Sequence, residues 1–175
     1  MNVSILIDVI LFAFIFFLLL VLSFVWPPDS PWSPWWRTNR KIARAACRLA
    51  KISRHDIVYE LGSGDGEFIL TAAKEFSAKK ATGIEIDYTR YFVSTFRKQM
   101  SNVSNAKFIR QDFKKVNLSD ATVIYFYLVP AVITRIMPKL KKELKPGTKI
   151  VSLKYKVPLK QISEDKKNKI YLYRI

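Results

Sequence analysis

Cysteine and histidine are nearly absent from this chain of 175 residues, which contains one of each. Cys47 alone cannot form an internal disulfide, and a single cysteine agrees with a reducing compartment. His55 precedes the first predicted strand as a loop residue, and we assign it no role. Because no Cys, His and carboxylate side chains cluster along the chain, the sequence predicts no metal site.

Basic residues are absent from the first 36 positions, and all thirty lysines and arginines follow, beginning with Arg37. Between Val3 and Val25 the only ionisable residue is Asp8. As a helix this run would extend about 34 Å, enough to cross a hydrocarbon core about 30 Å thick. We therefore expect residues 1–26 to be a transmembrane anchor. The positive-inside rule then places the amino terminus outside and the rest of the chain in the cytoplasm.

Two other interpretations of the apolar run fit the residues less well. The core helix of a small soluble domain does not need to be apolar on every side. A cleaved signal peptide would have a basic leading region, a shorter apolar run and a small-residue cleavage site. This run ends instead at Trp26-Pro27-Pro28.

All four tryptophans lie within eleven residues that also contain four of the eight prolines. This composition is typical of an aromatic belt at the lipid headgroups followed by a stiff, extended segment. Residues 27–36 are therefore predicted to be an interfacial linker, and a proline-rich partner motif is the alternative. The tryptophans are Trp26, Trp32, Trp35 and Trp36.

The next segment, residues 37–52, is predicted to form a basic amphipathic helix. Its basic stripe could lie on anionic lipid, where each cation contributes about 1 kcal/mol. Its apolar stripe could cover the edge of a sheet, and the two roles are compatible. The apolar stripe consists of Ile42, Ala45, Leu49 and Ile52, and the basic stripe of Arg37, Lys41, Arg44, Arg48 and Lys51.

The charge of the remaining chain is strongly one-sided. Residues 37–175 carry 30 basic and 12 acidic side chains, a net charge of +18, because only Asp8 and Asp29 precede them among the acids. Such a surface favours phospholipid, acidic protein or nucleic acid as a partner.

Glycine is scarce, yet three of the five glycines lie in one short turn. The turn follows the apolar run Ile57-Val58-Tyr59, a predicted buried strand, and precedes Phe68–Ala73, a predicted helix. Glycines let the backbone adopt positive φ and approach a ligand without an intervening Cβ. A nucleotide-cofactor site is therefore predicted here, with a plain tight turn as the alternative. The predicted cofactor-binding residues of the turn are Glu60, Gly62, Ser63, Gly64, Asp65 and Gly66.

The acids of the turn indicate which cofactor it holds. A dinucleotide fingerprint has Gly or Ala at the sixth position, where this chain has Glu67. Together with Glu60 and Asp65, this carboxylate would repel a pyrophosphate. S-adenosylmethionine has no phosphate and carries a sulfonium and an ammonium, so acids are suitable neighbours for it.

Two further acids end the next predicted strands. Glu85 ends the strand 80–86, at 23 residues after Gly62, close to the ~20-residue spacing at which an acid meets ribose hydroxyls. Asp112 follows the strand 106–111 and could accept a hydrogen bond from an adenine amino group. Taken singly, each acid is more readily explained as a helix cap or a solvated loop charge.

In series these motifs resemble class I S-adenosylmethionine-dependent methyltransferases. The stretch Asp56–Gly66 and Leu144-Lys145-Pro146-Gly147-Thr148 resemble, more narrowly, small protein-lysine methyltransferases from archaea and mitochondria. The resemblance covers roughly residues 40–175. It implies S-adenosyl-L-methionine as cofactor and a protein substrate with an accessible lysine.

The remaining pattern predicts an α/β domain over residues 53–175, with a doubly wound, Rossmann-like sheet. Helices are predicted over 87–100 and 131–144, and strands over 122–128 and 149–155. Too few residues, 113–121, separate two strands for a full crossover helix. The alternating end of the chain, 170–175, is predicted to be an antiparallel strand inserted in the sheet, and 164–169 a solvated hairpin loop.

The predicted fourth strand ends in Tyr125-Phe126-Tyr127, beside the expected position of the transferred methyl group. We select Tyr127 as the candidate catalytic residue and expect core packing for at least two of the three. The sequence continues Leu128-Val129-Pro130 and so lacks the N/D-P-P-Y motif of enzymes that methylate planar nitrogens.

These observations favour a membrane-anchored enzyme that methylates lysines of membrane or membrane-associated proteins. Methylation of an aminophospholipid headgroup is the second hypothesis. An RNA-modifying or RNA-binding protein ranks lower, because no RNA-binding module is recognisable and a nucleic-acid partner is not expected. A scaffold without catalysis is the remaining alternative.

Overall fold

The computed structural model describes residues 3–25 and 36–175. The chain divides into two compact units, Met1–Trp35 and Trp36–Ile175. The first contains helix α1 (Val3–Val25), whose stretch Ser4–Leu22 has a mean hydropathy of 3.3 and is long and apolar enough to cross a membrane. The predicted interfacial linker, apart from Trp36, lies outside the described residues.

The second unit contains a seven-stranded sheet in the order β3-β2-β1-β4-β5-β7-β6. Strands β1 to β5 are parallel, as predicted, and their register is continuous from β3 to β5. The strands are β1 (Ile57–Leu61), β2 (Lys80–Glu85), β3 (Ala106–Arg110), β4 (Val123–Phe126), β5 (Lys149–Leu153), β6 (Gln161–Asp165) and β7 (Ile170–Arg174).

Four α-helices and one short 3₁₀ helix accompany the strands. The short helix Phe113–Lys115 is the irregular connection expected between β3 and β4. The α-helices are α2 (Arg40–Leu49), α3 (Glu67–Lys74), α4 (Tyr88–Ser101) and α5 (Pro130–Glu143).

Alternation along the strands divides the core into two layers. In β4, Val123 and Tyr125 point into the layer that contains α2 and α3, whereas Ile124 and Phe126 point into the layer that contains α5. Helices therefore cover both faces of a mixed sheet, and the predicted Rossmann-like α/β architecture is confirmed.

Helix α2 is shorter than the predicted helix over 37–52. It begins at Arg40 because the side chain of Asn39 caps it, accepting a hydrogen bond of 2.9 Å from the backbone N–H of Ile42. Its fully buried positions are small residues, and the larger Ile42 and Leu49 are only half-buried. The helix packs on the domain through Ala43, Ala45, Ala46 and Cys47.

The end of the chain contains one strand that the sequence did not reveal. β7 lies antiparallel to β5, as predicted, but β6 pairs with its other side and forms the edge of the sheet. The predicted loop over 164–169 is therefore wrong at its start, because Glu164 and Asp165 belong to β6. An edge strand with polar, exposed side chains has no apolar alternation to identify it.

The sheet positions its ligand cleft where the strand order reverses. From β1 the chain passes to β2 on one side and, later, to β4 on the other. In open α/β sheets ligands bind outside the carboxyl ends of the strands at such a reversal. The candidate site therefore lies between the glycine turn after β1 and the residues after β4.

Candidate functional site

The glycine turn joins β1 to α3 in a backbone conformation that requires glycine. Gly62, Gly64 and Gly66 have φ values of 75°, 53° and 79°, in the left-handed region that other residues seldom adopt. The N–H groups of Gly62 and Ser63 both donate to the carbonyl of Ile84 at 2.9 Å. The turn is thereby fixed to the neighbouring strand β2.

Phe108 of β3 lies against two glycines of this region. A Cβ atom on Gly66 would lie 2.3 Å from Phe108 Cζ, and one on Gly83 would lie 2.5 Å from Phe108 Cδ1. Both distances are far shorter than a van der Waals contact. The ring of Phe108 therefore packs against the turn and leaves no space for a side chain at Gly66 or Gly83.

Glu85 ends β2 with its carboxylate turned towards the glycine turn. Oε2 accepts from the N–H of Gly64 at 2.8 Å, and Oε1 accepts from the N–H groups of Ile86 and Asp87 at 2.9 and 3.0 Å. Burial raises the pKa of this carboxyl despite these bonds. Since a carboxylate offers about four acceptor sites, one remains for a ligand hydroxyl beside the turn.

Glu60 is the acid of the turn whose burial is least compensated by hydrogen bonds or ion pairs. Only 3% of the residue is exposed, and among the described residues its Oε2 atom has no hydrogen-bond partner. Burial, followed by the charges of Asp65 and Glu85, raises the pKa of Glu60 well above its ordinary value. A buried carboxylate oxygen without a partner is costly unless a ligand supplies one.

Asp65 is held by two arginines. Its Oδ2 atom lies 2.6 Å from Nε of Arg37 and 2.8 Å from a guanidinium nitrogen of Arg97. The same Arg97 donates to the backbone carbonyl of Asp65 at 2.7 Å and forms an ion pair with Glu67. Asp65 therefore attaches the turn to α4 and to the segment that precedes α2.

Asp112 lies two residues beyond β3, at the same edge of the sheet. Its Oδ1 atom accepts from the N–H of Lys114 at 2.9 Å and so caps the short helix. The neighbouring Gln111 donates its backbone N–H to the carbonyl of Glu85 at 3.0 Å. The structure therefore shows Asp112 as a helix cap, and its place at this edge of the sheet is compatible with a ligand contact as well.

The three aromatic residues at the end of β4 point alternately to the two faces of the sheet. Tyr125 and Phe126 are fully buried in opposite layers of the core. Tyr125 stacks on Phe68 with ring centroids 3.8 Å apart, and burial raises the pKa of its hydroxyl. Tyr127, in contrast, is half-buried, and it is the one of the three that can face a ligand.

A segment that sequence reasoning did not assign to the site lies over this edge. Arg37 pairs with Asp65, and the hydroxyl of Thr38 lies 3.1 Å from that of Tyr125. The ring of Trp36 lies 6.4 Å from that of Tyr127. Residues 36–38 therefore extend from the glycine turn to the end of β4.

The predicted residues of the turn and Glu85 thus form an environment that suits a cationic ligand. Glu60, Ser63 and Glu85 are buried beside the turn, and the hydroxyl of Ser63 has no hydrogen-bond partner among the described residues. The carboxyl groups of Glu60, Asp65, Glu67 and Glu85 lie near each other here, and Arg37 and Arg97 offset part of their negative charge. This donor and acceptor set fits the ammonium and ribose of S-adenosylmethionine and does not fit a pyrophosphate. No cluster of metal-ligating side chains occurs in the described part of the chain.

The contact between Phe108 and Gly83 was not predicted, although the sequence contains a signal for it. Gly83 lies inside β2, and a glycine in a strand interior indicates close approach of another group, here Phe108. By contrast, the ion pairs of Arg37 and Arg97 join positions 28 and 32 residues away from Asp65, and no local pattern identifies them.

Comparison with known proteins gives a consistent result. The sequence model of one family, described as the ANTKMT methyltransferase domain, matches residues 60–164. A protein-lysine N-methyltransferase of Saccharolobus islandicus is 40% identical over 131 residues, which cover 74% of this chain and 80% of the relative. An adenine nucleotide translocase lysine N-methyltransferase of Mus musculus is 30% identical over 100 residues, covering 57% of this chain and 43% of that protein.

One solved structure has a fold similar to that of this chain over most of the length of both proteins. An RNA methyltransferase from Salinibacter ruber, crystallised with S-adenosyl-L-homocysteine, has a TM-score of 0.73 and 28% sequence identity. The similarity covers 80% of this chain and 94% of that one.

Proposed function

Since this chain belongs to the family of the ANTKMT methyltransferase domain, we propose that it is a membrane-anchored, S-adenosylmethionine-dependent protein-lysine N-methyltransferase. The observation that carries the cofactor is Glu60, a buried carboxylate with an unpartnered oxygen beside the glycine turn. The relatives named as lysine methyltransferases support the substrate class.

The chain's own residues divide the work of holding the cofactor. Glu60 would accept a hydrogen bond from the ammonium group, and the backbone of Gly62, Ser63, Gly64 and Gly66 would face the ligand. Glu85 would accept from the ribose hydroxyls through its remaining acceptor site, and Asp112 would accept from the adenine amino group. Asp65 contributes by fixing the turn to Arg37 and Arg97.

When bound, S-adenosylmethionine supplies a methyl group on a sulfonium leaving group, so that a C–N bond forms as the C–S bond breaks. The protein aligns the lysine nitrogen and excludes water. The amine must first lose a proton, which costs about 4.6 kcal/mol at pH 7 for an ordinary pKa of about 10.4. Desolvation of the amine at the point of methyl transfer would lower that cost.

Membrane attachment is supported by α1, whose apolar stretch of 19 residues suffices for a single span. All thirty basic residues follow this helix, so the positive-inside rule places the catalytic unit in the cytoplasm. Attachment to the bilayer favours lysines of membrane or membrane-associated proteins as substrates.

A second candidate activity is methylation of RNA. The Salinibacter structure is described as an RNA methyltransferase, and residues 37–175 carry a net charge of +18, with 30 basic and 12 acidic side chains. RNA binding of this electrostatic kind weakens steeply as salt rises. Methylation of a lysine in a peptide of defined sequence should not show this steep decrease with salt concentration.

The test uses the full chain in detergent micelles with labelled S-adenosylmethionine. We expect label in protein lysines from membrane extracts, no label in RNA, and none in the organic phase that would contain aminophospholipid. Gly64→Arg and Glu85→Ala should abolish cofactor binding in calorimetry, whereas the surface variant Lys156→Ala should bind as the parent does. Cofactor binding without label in lysine would refute the substrate class, and absent cofactor binding would refute the enzyme.

A further inference from the structure

Three aromatic side chains meet at the edge of the sheet beyond the glycine turn. The ring centroid of Tyr127 lies 6.4 Å from that of Trp36 and 6.5 Å from that of Tyr155. Tyr127 and Tyr155 are half-buried, and Trp36 is 52% exposed. We call these three residues the aromatic recess.

A lysine of the chain itself occupies this recess. Nζ of Lys154 lies 4.2 Å from the ring centroid of Trp36 and 5.6 Å from that of Tyr155. An ammonium within about 6 Å of an aromatic centroid is attracted by the negative face of the ring. The recess is therefore a site that accepts an alkylammonium group.

The backbone at Lys154 is in a conformation that lysine rarely adopts. Its φ is 70°, and the N–H of Tyr155 donates to the carbonyl of Leu153 at 2.9 Å, closing a γ-turn around Lys154. A γ-turn with positive φ is rare and strained. Such strain persists only where surrounding contacts impose it, and it is concentrated at functional sites.

The register of the sheet places the recess next to the cofactor turn. Leu61 of β1 is opposite Phe126 of β4, and Phe126 is opposite Ser152 of β5. Tyr127 therefore follows β4 at the level where Gly62 follows β1, and Lys154 directly follows the end of β5. These residues share the carboxyl edge of neighbouring parallel strands.

We propose that the aromatic recess is the binding site for the side-chain ammonium of the substrate lysine, and that Lys154 holds its place in the free protein. The proposal rests on lysine methylation as the proposed function and names the residues that recognise the substrate. Trp36 and Tyr155 act as specificity-determining residues. Lys154 competes with the incoming lysine and must move aside before it binds.

The first test measures methyl transfer to a lysine peptide by the full chain in detergent. Lys154→Ala should lower the KM for the peptide about threefold to tenfold, with kcat and cofactor affinity unchanged, because the competing ammonium is gone. Lys154→Arg keeps a cation over Trp36 and should behave as the parent does. Trp36→Ala should raise the KM by a similar factor.

The matched control is Lys156→Ala. Lys156 is also a surface lysine over an aromatic ring, with Nζ 5.7 Å from the centroid of Tyr171, but that ring belongs to β7 and not to the recess. We expect its KM to equal the parent value. Equal KM values for the parent, Lys154→Ala and Trp36→Ala would overturn the proposal.

A second test does not depend on turnover. A peptide containing trimethyllysine cannot be methylated again, and its binding reports the recess alone. In titration calorimetry Lys154→Ala should bind it several-fold more tightly than the parent, and Trp36→Ala more weakly, with unaltered circular dichroism. If this pattern appears without any lysine methylation, the recess is correct and the proposed reaction is wrong. If lysine methylation occurs and the binding pattern is absent, the recess is wrong.

Discussion

Glu60 illustrates at the scale of one residue how a binding site reduces the stability of the protein that contains it. Its carboxylate is buried near Asp65 and Glu85, and this environment raises its pKa well above the ordinary value of 4.5. The protonated form is favoured in the folded chain, so the associated stability is complete below about pH 4.5 and is lost as the pH rises through the folded pKa. A cationic ligand reverses this cost by pairing with the carboxylate.

We predict that Glu60→Gln separates stability from cofactor binding. Because glutamine cannot ionise, the variant should lose less stability than the parent between pH 5 and pH 9 when no cofactor is present. Its affinity for S-adenosylmethionine should fall about tenfold to a hundredfold, since a hydrogen bond between charged groups contributes about 1.5–3 kcal/mol. Scanning calorimetry as a function of pH and titration calorimetry at pH 7.5 measure the two effects. Parallel pH profiles for the two proteins would contradict this role of Glu60.

We predict that Gly66→Ala destabilises the protein more than Gly147→Ala does. Both glycines have positive φ, 79° and 93°, so alanine is strained at either position by about 1 kcal/mol. Only at Gly66 would the new Cβ also meet Phe108, at 2.3 Å, whereas nothing lies within 4 Å at Gly147. The additional overpacking should cost about 1–3 kcal/mol.

Urea unfolding of the two single variants measures this difference. Adding Phe108→Leu to Gly66→Ala should recover part of the loss, because the smaller side chain vacates the space near Cβ. A Gly66→Ala variant as stable as Gly147→Ala would show that the ring does not constrain the turn.

At the scale of the elements, α2 is attached to α3 by one carboxylate. Glu75, which caps the end of α3, accepts from Arg40 at 2.7 and 2.9 Å and from Arg44 at 2.6 Å. The hydrogen bond with Arg44, together with that with Arg40, lowers the pKa of Glu75 to about 2. The stability that this group contributes is present above about pH 4.5 and is lost as the pH falls through about 2.

We predict that Glu75→Gln lowers the melting temperature at pH 7 by no more than about 4 °C, because ion pairs between exposed side chains contribute little. The difference from the parent should shrink as the pH falls from 4.5 towards 2 and as salt rises. Glu164→Gln is the matched control, since Glu164 pairs at 3.8 Å with a lysine whose side chain is 87% exposed. A difference that persists at pH 2 would exclude the ion pairs as its cause.

At the scale of the whole molecule, the proposed membrane span can be tested through the single cysteine. Cys47 is fully buried, and burial raises the pKa of its thiol, so it should resist labelling in the folded protein. We predict that Asn2→Cys, which precedes the apolar stretch Ser4–Leu22, is labelled from outside intact cells by a membrane-impermeant maleimide. A cysteine introduced at exposed His55 should be labelled only after lysis.

The controls use the Cys47→Ala background. Labelling of both positions in intact cells, or loss of the first residues from the mature chain, would contradict a retained span with the catalytic unit in the cytoplasm. Release of the full chain by alkaline carbonate would exclude a span altogether.

The local sequence predicted the parallel core of the fold well because each strand and helix there is specified by its own residues. Runs ending in glycine or acid identified β1 to β3, an apolar run identified β4, and Asp87 and Asn39 cap helices near the predicted starts. β6 was missed because its mostly polar residues, Gln161–Asp165, show no apolar alternation. The length of α2 was overestimated because the basic stripe continues beyond the cap.

The sequence by itself determined the family, the parallel strands of the sheet and the acids beside the glycine turn, since these follow from motifs whose residues lie close together along the chain. Only the tertiary structure decided which acid has an oxygen without a partner and which acid is held by arginines, because burial and pairing depend on positions tens of residues apart. It also brought Trp36, Tyr127, Lys154 and Tyr155 to one edge of the sheet. The spacing of these four residues along the chain does not predict that they lie together. Their proximity arises from the register of β1, β4 and β5 and from the strained turn that follows β5.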